Sequence, residues 1–302
     1  MKHLIRFIIL FSSLLPTALN SQDLGGLLDE LDDDNNGTPE IILGTFEGTT
    51  VINGQSVEVP GAGDLNFRIS HRFGAINLGI YQFFGMDQAS TRLGFDYGIK
   101  DLASISIGRN TFEKTYDGAI KYRILKQQNE EGNMPVSLTF YSVVFVKTLR
   151  WDHPERDNLF TSRLSYANQL LLARKFGKNF SLQLSPTYVH KNLVPFPDDQ
   201  NDIFATGISG KIRLNRMLSF TSEYFYLLPG KAADDFYNAL ALGVDIETGG
   251  HIFQLQVSNS QAMFERAFIT ETSGNWLDGE IFFGFNLYRV FPTGETRRNI
   301  KW

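Results

Sequence analysis

Thr91-Arg92-Leu93-Gly94-Phe95-Asp96-Tyr97-Gly98-Ile99-Lys100 is the stretch that decides the fold. Leu93, Phe95, Tyr97 and Ile99 make one set of side chains. Arg92, Gly94, Asp96, Gly98 and Lys100 make the other. Successive side chains of a strand point to opposite faces, so a period of two gives one apolar and one polar face. The pattern recurs to the end of the chain. Residues 65–73 set Phe67, Ile69, His71 and Phe73 against Asn66, Arg68, Ser70 and Arg72. Residues 180–190 set Phe180, Leu182, Leu184, Pro186 and Tyr188 against Ser181, Gln183, Ser185 and Thr187. Residues 238–247 set Leu240, Leu242, Val244 and Ile246 against Ala241, Gly243, Asp245 and Glu247.

Further strands are read at 41–50, 102–109, 117–125, 135–147, 158–175, 203–214, 218–227, 251–259 and 280–290. Residues 75–86, rich in Gly and aromatics, fit a short helix, a plug-like loop or another strand. Short links at Lys100-Asp101, 176–179, 215–217 and 248–250 contrast with long ones at 126–135, 151–158, 191–201, 229–236 and 260–279. Barrels with short periplasmic turns and long outer loops show this asymmetry. Strands of about nine residues or more suffice to cross a bilayer obliquely. The expected fold is all-β: a transmembrane antiparallel β-barrel of about twelve strands, an even number being usual. Pro186 strains this reading, since proline cannot donate to a ladder. So does the chain's end, where 292–302 forms a tail or a short closing element after Phe291.

The first residues read as a secretory leader, 1–21. Lys2, His3 and Arg6 make a basic start, 7–15 an apolar run, and Ala18 to Ser21 a small-residue region. The run is too short to cross a bilayer comfortably. No later stretch has the eighteen or so apolar residues of a membrane helix, which leaves a closed barrel as the spanning option. A mean hydropathy of -0.16 is compatible with this, because only one face of each strand need be apolar. The chain has 302 residues, 13% aromatics with 26 Phe and 11 Tyr, a formal charge of -5 and no cysteine. Disulfides and a cysteine acyl anchor are thereby excluded, and no basic field points to nucleic acid. Residues 22–39 form an acidic periplasmic segment. Within it Asp32, Asp34, Asn36 and Gly37 match four positions of a calcium loop, but Leu43 stands where the bidentate Glu belongs. A solvated acidic linker is the simpler reading.

The polar faces supply the lumen-lining candidates: Arg68, Arg72, Arg92, Asp96, Lys211, Arg213, Glu223, Asp245 and Glu247. Arg–carboxylate pairs filling a narrow interior would satisfy their charge, and the same groups would line a selective channel. Trp151, His153, Phe264 and Trp276 are the loop-binding candidates. The aromatics of 260–279 fit an interfacial girdle better than a cover over the pore. No nucleophile elbow and no zinc-protease motif occurs. No catalytic residue, metal site or cofactor is therefore assigned, and an outer-membrane lipid hydrolase is only a remote alternative.

Thr45-Phe46-Glu47-Gly48-Thr49-Thr50-Val51-Ile52-Asn53-Gly54-Gln55-Ser56-Val57-Glu58, followed by Gly63-Asp64-Leu65-Asn66-Phe67-Arg68-Ile69-Ser70-His71-Arg72-Phe73-Gly74, resembles a family of uncharacterised outer-membrane barrels from the Bacteroidota. The resemblance implies one barrel domain over 40–291, a Gram-negative host of that phylum, and no assigned substrate. The expected function is a narrow porin-like channel or structural barrel of the outer membrane. The alternative is a surface-binding barrel with a plugged lumen and ligand-binding outer loops. Expected partners are outer-membrane lipids and lipopolysaccharide, the barrel assembly machinery, and an unidentified small solute or surface ligand.

Overall fold

Alternation along the chain becomes a closed twelve-stranded barrel in the computed structural model, which describes residues 41–42, 44–129, 133–151, 153–248 and 250–293. The expected leader, the acidic segment, its calcium pattern and residues 294–302 lie outside the described residues. The strands are β1 Asp64–Ala75, β2 Ala89–Lys100, β3 Ala103–Asn110, β4 Thr115–Leu125, β5 Ser137–Lys147, β6 Leu164–Phe176, β7 Phe180–Lys191, β8 Asp202–Arg213, β9 Leu218–Leu227, β10 Ala239–Thr248, β11 His251–Ser258 and β12 Phe282–Pro292. Each pairs antiparallel with its sequence neighbours, and β1 pairs with β12 to close the ring, from Asp64↔Pro292 to Ala75↔Phe282. The last strand therefore closes the barrel, with Phe291 opposite Leu65.

Alternation now has a physical meaning. On β2, Leu93 is 44% exposed and Arg92 6%. The exposed set is the outer face, suited to lipid, and the buried set faces the lumen. An outward apolar residue in mid-strand should then resist charge. Ile107 of β3 is 65% exposed on that face. Ile107→Arg is expected to lower stability in lipid vesicles by about 2–4 kcal/mol, read as the shift in the urea unfolding midpoint. An unchanged midpoint would mean this face does not meet hydrocarbon.

One end of the barrel carries the first and last strand ends and the connections 101–102, 126–136, 177–179, 214–217 and 249–250. The other carries 76–88, 111–114, 148–163, 192–201, 228–238 and 259–281. The 126–135 link, grouped with the long loops by length, thus lies among the turns. Pro186 points outward and faces Thr206 of β8. Toward β6 the ladder runs from Gln169↔Thr187 to Leu172↔Leu184 in one register, with the pairs between them missing. The barrel tolerates the proline by a local gap in pairing and needs no bulge.

One strand expected from sequence is corrected. Residues 41–50 are not a strand of the sheet. Among the described residues, Ile41 bridges Gln128 and Thr50 bridges Gln55, both outside the ladder. The 41–50 segment lacks a second strand to pair with on the wall, because β1 already has β2 and β12 as neighbours. Of the readings open for 75–86, the structure takes the short-helix one: β1 ends at Ala75, and two short 3₁₀ turns follow, Ile76–Leu78 and Ile80–Gly85. Phe83 and Phe84 have φ of 45° and 54°, a left-handed backbone that bulky residues rarely adopt.

Candidate functional site: a two-part plug inside the barrel

With 41–50 out of the wall, the chain before β1 turns into the lumen. Gly98 permits its entry: an ideal Cβ there would stand 2.1 Å from the Gly61 carbonyl oxygen and 2.7 Å from that of Pro60. Inside, residues 49–56 fold as a tight hairpin. Val51 N–H donates to Gly54 O at 2.8 Å and Ser56 N–H to Thr49 O at 3.0 Å. The turn runs over Val51–Gly54, with Ile52 and Asn53 at its centre and Gly54 closing it. Gly54 packs under the Phe225 ring, where a Cβ would come within 2.8 Å.

A buried hairpin without sheet partners has backbone groups to satisfy. The wall does this with side chains. Glu223 of β9 accepts from the N–H groups of Ile52, Asn53 and Gly54 at 3.2, 2.9 and 3.0 Å. Gln254 of β11 donates to Val51 O at 2.7 Å, and Asn286 of β12 to Ile52 O at 3.1 Å. Gln183 of β7 accepts from Val57 N at 2.8 Å and donates to Gln55 O at 2.8 Å. The Lys121 ammonium of β4 caps the carbonyls of Thr49, Ser56 and Glu58 at 2.8, 3.0 and 3.2 Å. Phe46, Val51, Ile52 and Val57 bury their apolar parts with Ala173 and Ala241.

The second part enters from the opposite end. The 259–281 connection folds inward as a short helix, α1 Glu265–Thr270, all six of whose residues are buried. Phe264 and Phe268 lie 5.3 and 5.2 Å, ring to ring, from Phe145 of β5 and Phe225 of β9. Leu171, Val189 and Leu227 complete this apolar half of the lumen. The two parts meet where Gln55 Nε2 donates to Glu265 Oε1 at 2.8 Å. Toward the loop end, Arg266 holds both carboxylate oxygens of Glu271 at 2.9 Å and pairs with Glu113, while Lys191 reaches Glu271 at 2.7 Å. A cavity between hairpin and wall, at Phe46, Glu47, Thr221, Asp245 and Tyr288, has about 10 Å³, room for about one water.

Most of the sequence-derived lumen residues meet this plug. Arg72 donates to Asn53 Oδ1 at 2.8 Å and to Asn286 Oδ1 at 3.1 Å. Asp96 accepts from Thr49 Oγ1 at 2.7 Å. Lys211 lies 3.1 Å from Glu47 and donates to Gly44 O at 3.2 Å. Asp245 accepts from Gln254 at 2.5 Å. Arg213 and Glu247 are partly exposed at the turn end, 3.6 Å apart. Arg92 pairs with Asp117 at 2.5 Å, and Arg68, also buried, hydrogen-bonds Tyr288 and lies near Asp96. Mutual Arg–carboxylate pairing within this set is thus the exception; the N-terminal segment is the main partner. Of the loop candidates, Trp151 lies beneath the Arg163 guanidinium at 4.1 Å and His153 is exposed beside Glu155. Trp276 sits in the 3₁₀ turn Trp276–Asp278. Phe264 is buried in the lumen, so the girdle reading of 260–279 is corrected for Phe264 and Phe268: they fill the apolar half of the interior. Sequence reasoning passed over Lys121, Gln183, Gln254, Asn286 and Glu265. A cluster of inward amides was the available signal, since a hydrated pore has less use for them than an enclosed backbone does.

The charges outside the strands respond oppositely to pH. Burial pushes the Glu265 carboxyl above its usual value of 4.5, and the Gln55 bond offsets only part of that. Burial also raises Glu113, but Arg266 and Lys147 outweigh it and hold the group low. For Glu265 the folded state favours the proton, so its cost is absent at acid pH and appears as pH rises above about 4.5. Glu265→Gln should therefore stabilise the protein at neutral pH and flatten stability against pH on the alkaline side, as read by urea midpoints from pH 4 to 8. Glu113→Gln should do the reverse, removing stability that is present above the ordinary glutamate range and lost on acidification. Parallel curves for both variants would refute this pairing of roles.

The family profile described as "Membrane bound beta barrel domain (DUF5777)" matches residues 46–291. The chain belongs to that family. The match includes the hairpin, β1–β11 and β12 as far as Phe291. No curated protein sequence matches the chain. Among solved structures it is similar to the Acinetobacter baumannii outer membrane protein Omp33, at 9% identity over 78% of this chain and 100% of that one, with a TM-score of 0.39. It is also similar to the COG4313 outer membrane channel from Pseudomonas putida F1, at 13% identity over 77% and 97%, with a TM-score of 0.45. LpxR from Salmonella typhimurium matches at 10% identity over 76% and 99%, with a TM-score of 0.36. Likenesses this distant carry no argument about what the chain does. The protein is a membrane-bound β-barrel.

Proposed function

We propose that this is a porin-like outer-membrane barrel of a Gram-negative bacterium, held closed by its two-part plug. The observation that carries the reading is the hairpin 49–56, enclosed in the lumen and bound through its backbone by side chains from five strands. With short turns and chain ends on the periplasmic side, the hairpin enters from the periplasm and α1 from outside. Their junction at Gln55–Glu265 is then the latch between two half-gates. The closing strand with Phe291 suits recognition by the barrel assembly machinery. The reading assigns no reaction. A host in the Bacteroidota accords with the resemblance of 45–74.

A second reading, surface binding over a permanently filled lumen, is favoured by the apolar loop end: Tyr81 is 92% and Leu277 94% exposed. Planar-bilayer recording of the refolded protein separates the two. The proposal expects rare, brief openings that become frequent when Lys121→Met or Glu223→Ala loosens the hairpin. A folded, heat-modifiable variant that never conducts would leave the structural, surface-binding barrel.

A further inference from the structure

The wall formed by β1–β4 holds more donors than its own acceptors can use. Arg92 is 6% exposed, and only its Nη2 is engaged, with Asp117 Oδ2; its Nε and Nη1 have no protein partner. Arg68, 5% exposed, has an unpartnered Nε. Asn110 Nδ2, opposite Arg92 on β3, is buried and unpartnered too, as is the Thr115 hydroxyl on β4, which can donate or accept. Against these stand two unpartnered acceptors, Asn66 Oδ1 and Asp117 Oδ1. Unmet buried donors are costly. Water accepts, but each molecule also brings donors of its own, so it does not correct a surplus of this sign. An acceptor-only ligand does.

The two guanidiniums converge over one residue. A Cβ at Gly94 would stand 2.7 Å from Arg92 Nη1 and 3.7 Å from Arg68 Nε. Gly94 faces Arg68 across the β1–β2 ladder and Gly108 across the β2–β3 ladder, so the wall beneath carries no side chain. Asp117 reaches Arg92 only at Nη2, and Asp96, the carboxylate near Arg68, takes its hydrogen bond from Thr49, so neither meets Arg92 Nη1 or Arg68 Nε. We propose that Arg68 and Arg92 together bind one small inorganic anion of the halide class above Gly94, inside the barrel wall. The seat does not depend on whether the barrel conducts. It ties β1 to β2 next to the β1–β12 closure and leaves the plug's own bonds untouched.

Bromide is the probe, because it replaces chloride and scatters anomalously. Crystals of the full chain soaked in bromide are expected to show an anomalous peak bridging Arg68 Nε and Arg92 Nη1. Chloride NMR line width in detergent should be broadened by the protein and sharpened by added bromide. Gly94→Ala, whose methyl displaces the flexible end of Arg92, should abolish both signals while the barrel keeps its heat-modifiable gel mobility. A water-sized, non-anomalous peak at the seat would overturn the proposal. So would bromide found only elsewhere, or an unchanged peak in Gly94→Ala.

Discussion

Glu223→Ala should turn a closed barrel into a conducting one. Glu223 is a single acceptor serving three consecutive buried N–H groups at the hairpin tip. Each N–H left unpaired in the interior costs about 1–3 kcal/mol. If the hairpin stayed in place, the variant would carry a penalty of about 3 kcal/mol or more. If it left, its backbone would be hydrated and the lumen would fill with water. The second course is cheaper, because Arg72, Lys121, Gln183 and Gln254 are themselves polar and accept water readily. The expected result is a folded barrel with frequent single-channel openings and a hairpin newly open to protease between residues 44 and 60. Glu223→Gln keeps an acceptor oxygen and should show a much smaller change. A closed, protease-resistant Glu223→Ala would mean that the apolar contacts of Ile52 and Val57 hold the plug unaided.

Breaking the Arg92–Asp117 pair from one side should be far worse than removing it whole. Both side chains are almost entirely buried and 2.5 Å apart. Asp117→Ala leaves a guanidinium without its carboxylate in a wall already rich in free donors, a loss of about 3–5 kcal/mol by comparison with other buried pairs. Replacing both partners, Arg92→Met with Asp117→Leu, removes the charges and their desolvation cost together. The double variant should lie within about 1–2 kcal/mol of the parent. Urea unfolding of the parent, Arg92→Met, Asp117→Leu and the double variant in one detergent gives the coupling directly. Additive losses would show that the pair is screened by solvent.

The wall is legible in the sequence because lipid on one side and the lumen on the other impose a strict period of two. All twelve observed strands can be read there, with ends displaced by a few residues, since alternation by itself does not mark where pairing stops. The one surplus strand, 41–50, fails for a definite reason. Thr49, Thr50, Val51 and Ile52 have high strand propensity, and Asn53-Gly54 is a turn signal between extended arms. Propensity reports that a segment is extended, not what it pairs with. Here it pairs with itself, and side chains from across the barrel replace the missing neighbour. The loop candidates suffer similarly. Phe264 and Phe268 are as aromatic as girdle residues, and only the inward fold of 259–281 tells that they fill the interior. The nine charged lumen residues are readable by face, but their partners are not. Glu223 and Ile52 stand 171 residues apart in the chain, and Arg72 and Asn286 stand 214 apart.

The position of the hairpin also constrains how the molecule is made. Its contacts reach β4, β7, β9, β11 and β12, so Ile52 finds its last partner, Asn286, 234 residues later. It precedes β1, and the seam that shuts the ring is β1 against β12. A closed ring would admit the hairpin only through a mouth narrowed by its own turns. The order of events that avoids this has the curling sheet wrap around an already folded hairpin, with the seam zipped last. Contacts this distant in sequence form slowly. Maturation of this barrel should thus show a late, plug-dependent step, with a hairpin deletion accumulating as an open sheet at the assembly site.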